Sequence, residues 1–488
     1  MPLTNTAATI AVDSLRSHLS CPVVTAADKE YDLLRSVWNS DIDRHPLAIV
    51  RCRNAEDVAA ALTWCVSNGH EVTVRGGGHN IAGTAVQDGA VMIDTGALNE
   101  VTFDRAAGTV NVGAGCRLGD MDRACADQGV VVPAGTVSHT GVAGLTLGGG
   151  AGYLARMYGL TVDHLVEVEI VVADGRILVA NAEEHPELFW ALRGAGHNFG
   201  IATRFTYTFI PFTMTANIRQ AVFRTSDRMS VLQAFRDWAY EAPDTITAYA
   251  RTVKVPPYWT VVPSEHRDTD VVYMATVHWG DPADEPGESA PAFAGAKPVW
   301  EHSYSTRHVD LQHASDDDFR YGLRRYWRNG MLNEFPDDAI ATVLDWSDRY
   351  PGRPLQASAT VAPHFDCPFQ IYPRGGAASR VDFWDSAVGD RVGPKWMSTV
   401  ASCWEFPSEA AELVDWSRGF DESMSPYRNG TYINFTSVVG DEVTARYVYG
   451  DKYERLVAVK KEYDPDNVFH RGLADLSGTS DRADDDAS

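Results

Sequence analysis

The run Arg75-Gly76-Gly77-Gly78-His79-Asn80 follows the β-branched stretch Glu71–Val74 and leads to Gly83. Three consecutive glycines let a backbone pass very close to a flat or phosphorylated ligand, and here one imidazole stands at the point of approach. Three chemistries fit such a histidine: a metal ligand, a general base, or the attachment point of a tethered flavin. A glycine turn with an incidental histidine is the plainer alternative.

A second glycine-dense stretch, residues 133–163, holds eight glycines, among them Gly135, Gly141, Gly144, Gly148 and Gly152. That density predicts neither a regular helix nor a strand interior, but a long ordered loop lining a ligand. Gly113-Ala-Gly115-Cys-Arg-Leu-Gly119 is one residue off a dinucleotide fingerprint and lies between a strand and a helix that is already underway, so it is read as a decoy. His302, His308, His313 and His364 have no helical ligand spacing, and no metal site is expected.

The elements that must position these groups are legible nearby. Residues 48–74 read as strand, helix, strand, with Asn54 capping a helix whose apolar face is Val58, Leu62, Cys65 and Val66. Short strands follow at 91–94, 101–103 and 109–112, then a helix over 118–128. Two β-branched runs around Asp174-Gly175 form a hairpin, and a helix over 187–193 leads to a strand ending at Phe209. From Pro211 the texture turns to alternating strands mixed with helices, read as a second, largely antiparallel α+β unit; Asp281–Pro298 is an acidic loop.

With 488 residues, the chain is too long for one ordinary core. Its 66 acidic and 42 basic residues leave a net charge of -24, which argues against binding nucleic acid or an anionic membrane. Seven scattered cysteines without a C-x-x-C pair suit reduced thiols, and no leader or long apolar span is recognised, so a cytoplasmic protein is expected.

Arg75 to Asn80, the 133–163 loop, Gly196-His-Asn-Phe-Gly200-Ile201, Tyr432-x-Asn434 and Tyr463-Asp-Pro-Asp-Asn467-Val-Phe469 closely resemble, in family order over residues 30–470, the berberine bridge enzyme-like oxidases of the vanillyl-alcohol oxidase superfamily. The resemblance implies an α+β fold: a PCMH-type FAD-binding domain of two α/β subdomains, and a substrate domain with an antiparallel sheet covered by helices. Expected boundaries are 1–210 for the first part of the FAD domain, 211–425 for the substrate domain, 426–475 for the C-terminal return, and 476–488 for a disordered acidic tail. His79 then carries the flavin through its 8α carbon. Where many members use a second attachment by cysteine, this chain has Val137, which implies a single covalent bond.

The same resemblance assigns FAD contacts to Arg75, Gly76, Gly77, Gly78, Asn80, Gly83, Gly135, Val137, Ser138, His139, Thr140, Gly141, Gly144, Leu145, Gly152, Ile201, Tyr432 and Asn434. Val137-Ser-His-Thr140-Gly is most similar to the bacterial branch that includes the flavoprotein of enterocin polyketide biosynthesis, in which the His-Thr pair and the following Leu lie where oxygen reacts. In the plainer reading Ser138 and Thr140 only hydrogen-bond the cofactor and His139 is a satisfied core histidine. Relatives that place the base after the Asn have Phe435 at that position here, which leaves Tyr432, Tyr249 and Glu405 open as the base.

The implied activity is an FAD-dependent oxidase. It takes a hydride from an alcohol, phenol, sugar or secondary metabolite, reduces O2 to hydrogen peroxide, and works as a monomer or homodimer. An oxygenating flavoenzyme of polyketide or aromatic metabolism and a catalytically silent flavin carrier are the rivals.

Overall fold

The computed structural model describes residues 5–280, 295–353, 355, 368–437, 442–472 and 474–478. Its first sheet contains Ala48–Arg51, Val91–Asp94 and Val72–Arg75 in parallel, with the short strand Val23–Val24 antiparallel at its edge. Parallel strands of one sheet need a crossover, and the helix Ala55–Ser67 links Ala48–Arg51 to Val72–Arg75, which lie on either side of Val91–Asp94. Asn54 caps that helix by accepting the Asp57 N–H at 2.8 Å. Val58, Leu62 and Cys65 face the core as expected, whereas Val66 is exposed: it sits one residue past Cys65, about 100° around the helix.

A second, wholly antiparallel sheet runs Val101–Asp104, Thr109–Gly113, Ile201–Thr208, Leu165–Val171, Ile177–Asn181, and its last two strands form the hairpin around Asp174-Gly175. Its core is completed from far along the chain by the helices Glu442–Tyr449 and Tyr453–Tyr463. The buried Lys460 Nζ donates to Asp464 at 2.6 Å and to the carbonyls of Asn198 and Phe469, tying that C-terminal segment to the Gly196–Gly200 turn. The Tyr463-Asp-Pro-Asp-Asn467 motif thus has a clear structural task, since Asp464 also accepts the N–H groups of Val468 and Phe469.

Seven antiparallel strands make the third sheet, in the order Trp300–Arg307, Thr215–Phe223, Asp270–Trp279, Ile246–Lys254, Phe369–Pro373, Trp396–Trp404, Arg324–Leu332. Side chains alternate along each strand. Ala248, Ala250, Phe369, Ile371, Trp396 and Val400 pack into a core shared with the helices Arg228–Ala239, Asp337–Asp348 and Ala410–Ser423. Residues of opposite parity, including Tyr249, Arg251, Gln370, Tyr372, Met397 and Thr399, face a cavity.

A further expectation changes. The 133–163 stretch is not loop throughout, because Val142–Leu147 and Ala155–Tyr158 are short helices, the first containing Gly144. Six residues hold a helical turn when tertiary packing outweighs the modest intrinsic cost of one glycine. Gly113 and Gly115 are required by packing: a Cβ on either would meet the carbonyl oxygens of Leu98 and Thr95 at 2.1 and 2.2 Å. The acidic tail from 479, most of the 281–298 loop and His364 lie outside the described residues. No described helix is long and apolar enough to cross a membrane.

Candidate active site

A cavity of about 420 Å³ separates the first two sheets from the third. Its floor is glycine backbone: Gly76, Gly77 and Gly78 at the end of the Val72–Arg75 strand, and Gly135, Gly141, Gly144 and Gly152 from the second stretch. Gly77 and Gly141 touch: a Cβ on Gly77 would lie 2.4 Å from the Gly141 Cα, while one on Gly144 would meet nothing within 4 Å. The two stretches are therefore locked together, with open space directly beyond them.

His79 stands half-buried at the wall. Its ring stacks on Trp38 at 4.1 Å with 16° between planes, and its Nε2 lies 3.1 Å from His139 Nδ1. Burial first, and then the neighbouring His139 and the cations Arg325 and Arg117, hold His79 well below the usual imidazole range; burial lowers His139 too. Both rings are consequently neutral near pH 7, and the pair shares one hydrogen bond.

A strap from the third-sheet side braces this pair. Ser138 donates to Asp316 through its N–H at 2.9 Å and its hydroxyl at 2.5 Å, and His313 Nδ1 lies 3.0 Å from the same carboxylate. The Tyr321 hydroxyl donates to the Gly77 carbonyl at 3.1 Å, and Arg325 sits 3.9 Å from the Trp38 ring centroid.

Tyr432 enters from the C-terminal segment. Its phenolic oxygen accepts the Gly150 N–H at 2.9 Å and the Asn434 Nδ2–H at 3.1 Å, while Asn434 also donates to the Leu145 carbonyl. Asn329 fixes the backbone, accepting the Tyr432 N–H at 2.6 Å and donating to its carbonyl at 2.9 Å. Burial raises the phenol above its usual range, against the pull of these donors and of the Arg374 guanidinium. Arg374 is itself lowered by burial to about 10, and its Nε has no hydrogen-bond partner.

Of the other expected site residues, Asn80, Val137, Thr140 and Leu145 line the cavity with His79, Tyr432 and Asn434. Ser138 and His139 lie one layer behind it. Arg75 turns away to Asp94 and the Ser36 carbonyl, Gly83 turns the chain against Ile42 at φ +69°, and Ile201 is core beside Val50 and Val91. Tyr249 lines the roof. Glu405 does not join them: it pairs with Arg353 at 2.9 Å and Arg320 at 3.7 Å in a separate shallow pocket, which removes it from the base candidates.

Trp38, Asp316, Tyr321, Asn329 and Arg374 are site residues that sequence reading missed. They are single residues in unrelated segments, and only the register of strands such as Arg324–Leu332 and the crossing of the 314–323 connection bring them together. Among the described residues no group of His, Cys, Asp or Glu could hold a metal ion.

The fold and this glycine-floored site define an FAD-linked oxidoreductase. Residues 46–181 match the family model described as FAD binding domain, and residues 431–473 match the one described as berberine and berberine like. The chain thus carries both an FAD-binding domain and a berberine-like segment, as FAD-linked oxidoreductases do. It is 27% identical over 464 residues to the uncharacterized FAD-linked oxidoreductase YgaK of Bacillus subtilis, covering 93% of this chain and 96% of the relative. It is 28% identical over 455 residues to (R)-6-hydroxynicotine oxidase of Paenarthrobacter nicotinovorans, covering 92% and 94%. In fold it is similar to Physcomitrella patens BBE-like 1, with a TM-score of 0.82 at 21% identity over 96% of this chain and 99% of that one.

Proposed function

We propose that this chain is an FAD-dependent oxidase whose flavin is bonded through His79 alone. It oxidises a C–H bond next to a hydroxyl or amine of a small organic substrate and passes the electrons to O2, giving hydrogen peroxide. The observation that carries the reading is His79 itself, a neutral imidazole held between the Trp38 ring and His139 at the edge of a cavity floored by two interlocked glycine stretches.

The donor set fits FAD. Backbone N–H groups of the glycine floor suit a pyrophosphate without basic side chains, in a chain with only seven lysines. The open space over Gly144 accommodates a ligand beside Leu145 and Asn434. His139 steadies the His79 ring through Nε2, and the imidazole would hold the flavin through its 8α carbon. Val137 offers no thiol from the loop, and Cys403, the described cysteine lining the cavity, belongs to the third sheet, so one bond is expected.

Bound FAD supplies a hydride acceptor and a site for reaction with oxygen. The protein's part is proton transfer and positioning. Tyr432 is the proposed base: three donors, the Gly150 and Ala151 N–H groups and Asn434, together with Arg374, favour its phenolate when a substrate proton must be accepted. Asn329 holds its backbone so that the phenol cannot withdraw. Tyr249 remains the alternative on the opposite wall.

Acid precipitation tests the attachment. Wild-type protein should give a yellow pellet whose mass includes one FAD, and a colourless pellet refutes the covalent bond while leaving FAD binding intact. Peroxide release over a panel of alcohols, phenols, sugars and amines tests the oxidase. Incorporation of labelled oxygen into product would instead favour an oxygenating enzyme, and slow reoxidation of reduced protein without peroxide would favour a silent flavin carrier.

A further inference from the structure

We propose that Cys21 and Cys52 form a thiol pair that hydrogen peroxide converts to a disulfide, stapling the segment that carries Trp38. The chemistry needs the oxidant and not the flavin, so it stands apart from the oxidase reading.

Register sets the pair face to face. Val23 and Val24 oppose Val50 and Ile49, and the Arg51 N–H donates to the Pro22 carbonyl at 3.0 Å, so the ladder continues and the next opposed residues are Cys21 and Cys52. Because Arg51 and Pro22 are the hydrogen-bonded pair, Cys21 and Cys52 are a non-hydrogen-bonded one, an arrangement with opposed Cα atoms about 4.5 Å apart. Disulfides span Cα separations of about 4.4–6.8 Å, so the bond closes with little backbone movement. The two thiols already hydrogen-bond to each other. Just outside them, Ser20 and Arg53 are clamped through Asp57, which accepts the Ser20 hydroxyl at 3.2 Å and the Arg53 N–H and Nε–H at 3.0 and 3.1 Å.

Core cysteines ordinarily pack as small hydrophobes, and Cys65, Cys116 and Cys125 do so, burial pushing each thiol up to about 12. Cys21 differs. The Cys52 thiol donates to it, and this hydrogen bond, helped by Arg53, outweighs burial and lowers the Cys21 pKa, while the same bond and then burial raise Cys52. Cys21 is therefore the thiolate that attacks and Cys52 the thiol that resolves. Cys21 is 6% exposed between the exposed Ser20 and Pro22, whereas Cys52 is fully buried, so a small oxidant meets Cys21 first.

The Cys21 thiolate attacks one peroxide oxygen: an S–O bond forms, the O–O bond breaks, and the departing hydroxide takes the proton Cys21 gave up, leaving as water. The Cys52 sulfur then attacks the Cys21 sulfenic acid: an S–S bond forms, the S–O bond breaks, and hydroxide leaves as a second water with the Cys52 proton. The two thiols together lose two electrons and one peroxide gains them.

The bond matters for what it closes. Val23–Val24 is a strand of two residues, yet the chain from there to Ala48–Arg51 carries Trp38, whose backbone N–H donates to the Gly78 carbonyl at 2.9 Å and whose ring stacks on His79. The same chain carries Asn39, whose side-chain amide donates to the Ile81 carbonyl at 2.8 Å. Joining Cys21 to Cys52 pins both ends of this segment and restricts the unfolded ensemble.

The test exposes reduced full-length protein to a molar excess of hydrogen peroxide without substrate, removes the oxidant with catalase, alkylates the remaining thiols and maps the peptides by mass spectrometry. The map should show Cys21 linked to Cys52, two hydrogens lighter than the reduced peptides and cleaved by dithiothreitol, and the oxidised protein should melt about 3 °C or more higher. Cys21→Ala and Cys52→Ala should each abolish both effects, and Cys65→Ala should keep both. Cys21 and Cys52 still open to alkylation, Cys21 driven to a sulfinic acid beside a free Cys52, or Cys21 linked to Cys65 refutes the pair. A linked peptide without the rise in Tm refutes the staple. The wild-type map decides the pairing even if a variant fails to fold.

Discussion

Gly77 and Gly141, 64 residues apart, pass so closely that a methyl group on either would overlap the backbone of the other. Neither has positive φ, so the demand for glycine here is purely steric. Gly77→Ala must push the two stretches apart, at a cost of about 1–3 kcal/mol for overpacking. The variant should lose FAD before it loses its fold, seen as a colourless protein with a near-native far-UV spectrum. A variant with full flavin content would show that the contact does not form the floor.

His79→Ala should leave the acid-precipitated pellet colourless while the folded protein still binds FAD. His139→Phe removes the hydrogen bond to His79 Nε2 but keeps a ring in place, and should lower the covalently attached fraction without abolishing it. Absorbance of the denatured pellet at the flavin band measures both.

Tyr432→Phe deletes the proton acceptor and its hydrogen bonds with Gly150 and Asn434. General-base loss is worth about 10²–10⁴-fold, so kcat should fall by at least 100-fold with little change in ligand affinity. The base must be ionised and burial raises its pKa, so wild-type kcat/KM should climb with pH into the alkaline range. Arg374 favours the phenolate, and Arg374→Met should move that limb to higher pH. A flat pH profile would remove Tyr432 from the role.

Asp122, buried between the Leu118–Asp127 helix and the His308–His313 helix, accepts from Gln312 Nε2 at 3.2 Å and is raised by desolvation to about 7. The folded state therefore binds its proton more tightly than the unfolded chain, so its stabilising contribution is full below about pH 4 and lost as pH rises through 7. Asp122→Asn keeps a carbonyl for Gln312 and removes the buried charge. Relative to wild type it should raise Tm at pH 8, by roughly 2–4 °C for each kcal/mol recovered, and change little at pH 4. A variant less stable than wild type at pH 8 would refute this.

Much of the fold was legible because its signals are local. The helix after Asn54, the Asp174-Gly175 hairpin and the strands at 91–94, 101–104 and 109–113 each follow from caps, turns and periodicity within a dozen residues. The glycine runs were equally readable, since residues without a Cβ declare a close approach wherever they cluster. Val66 and the Val142–Leu147 helix were misread because a neighbouring element, not the local pattern, decided them.

The sequence by itself determined that a histidine follows a glycine run, that a second glycine-dense stretch exists to meet it, and that both belong to a family pattern spanning the chain. Only the tertiary structure decided what surrounds them: Trp38 under the imidazole, Asn329 and Arg374 around Tyr432, Gln370 between Arg251 and Thr399, and Glu405 in a separate pocket with Arg353. The reason is geometric. These partners come from segments up to several hundred residues apart, and strand register and packing, which no local periodicity encodes, set their distances.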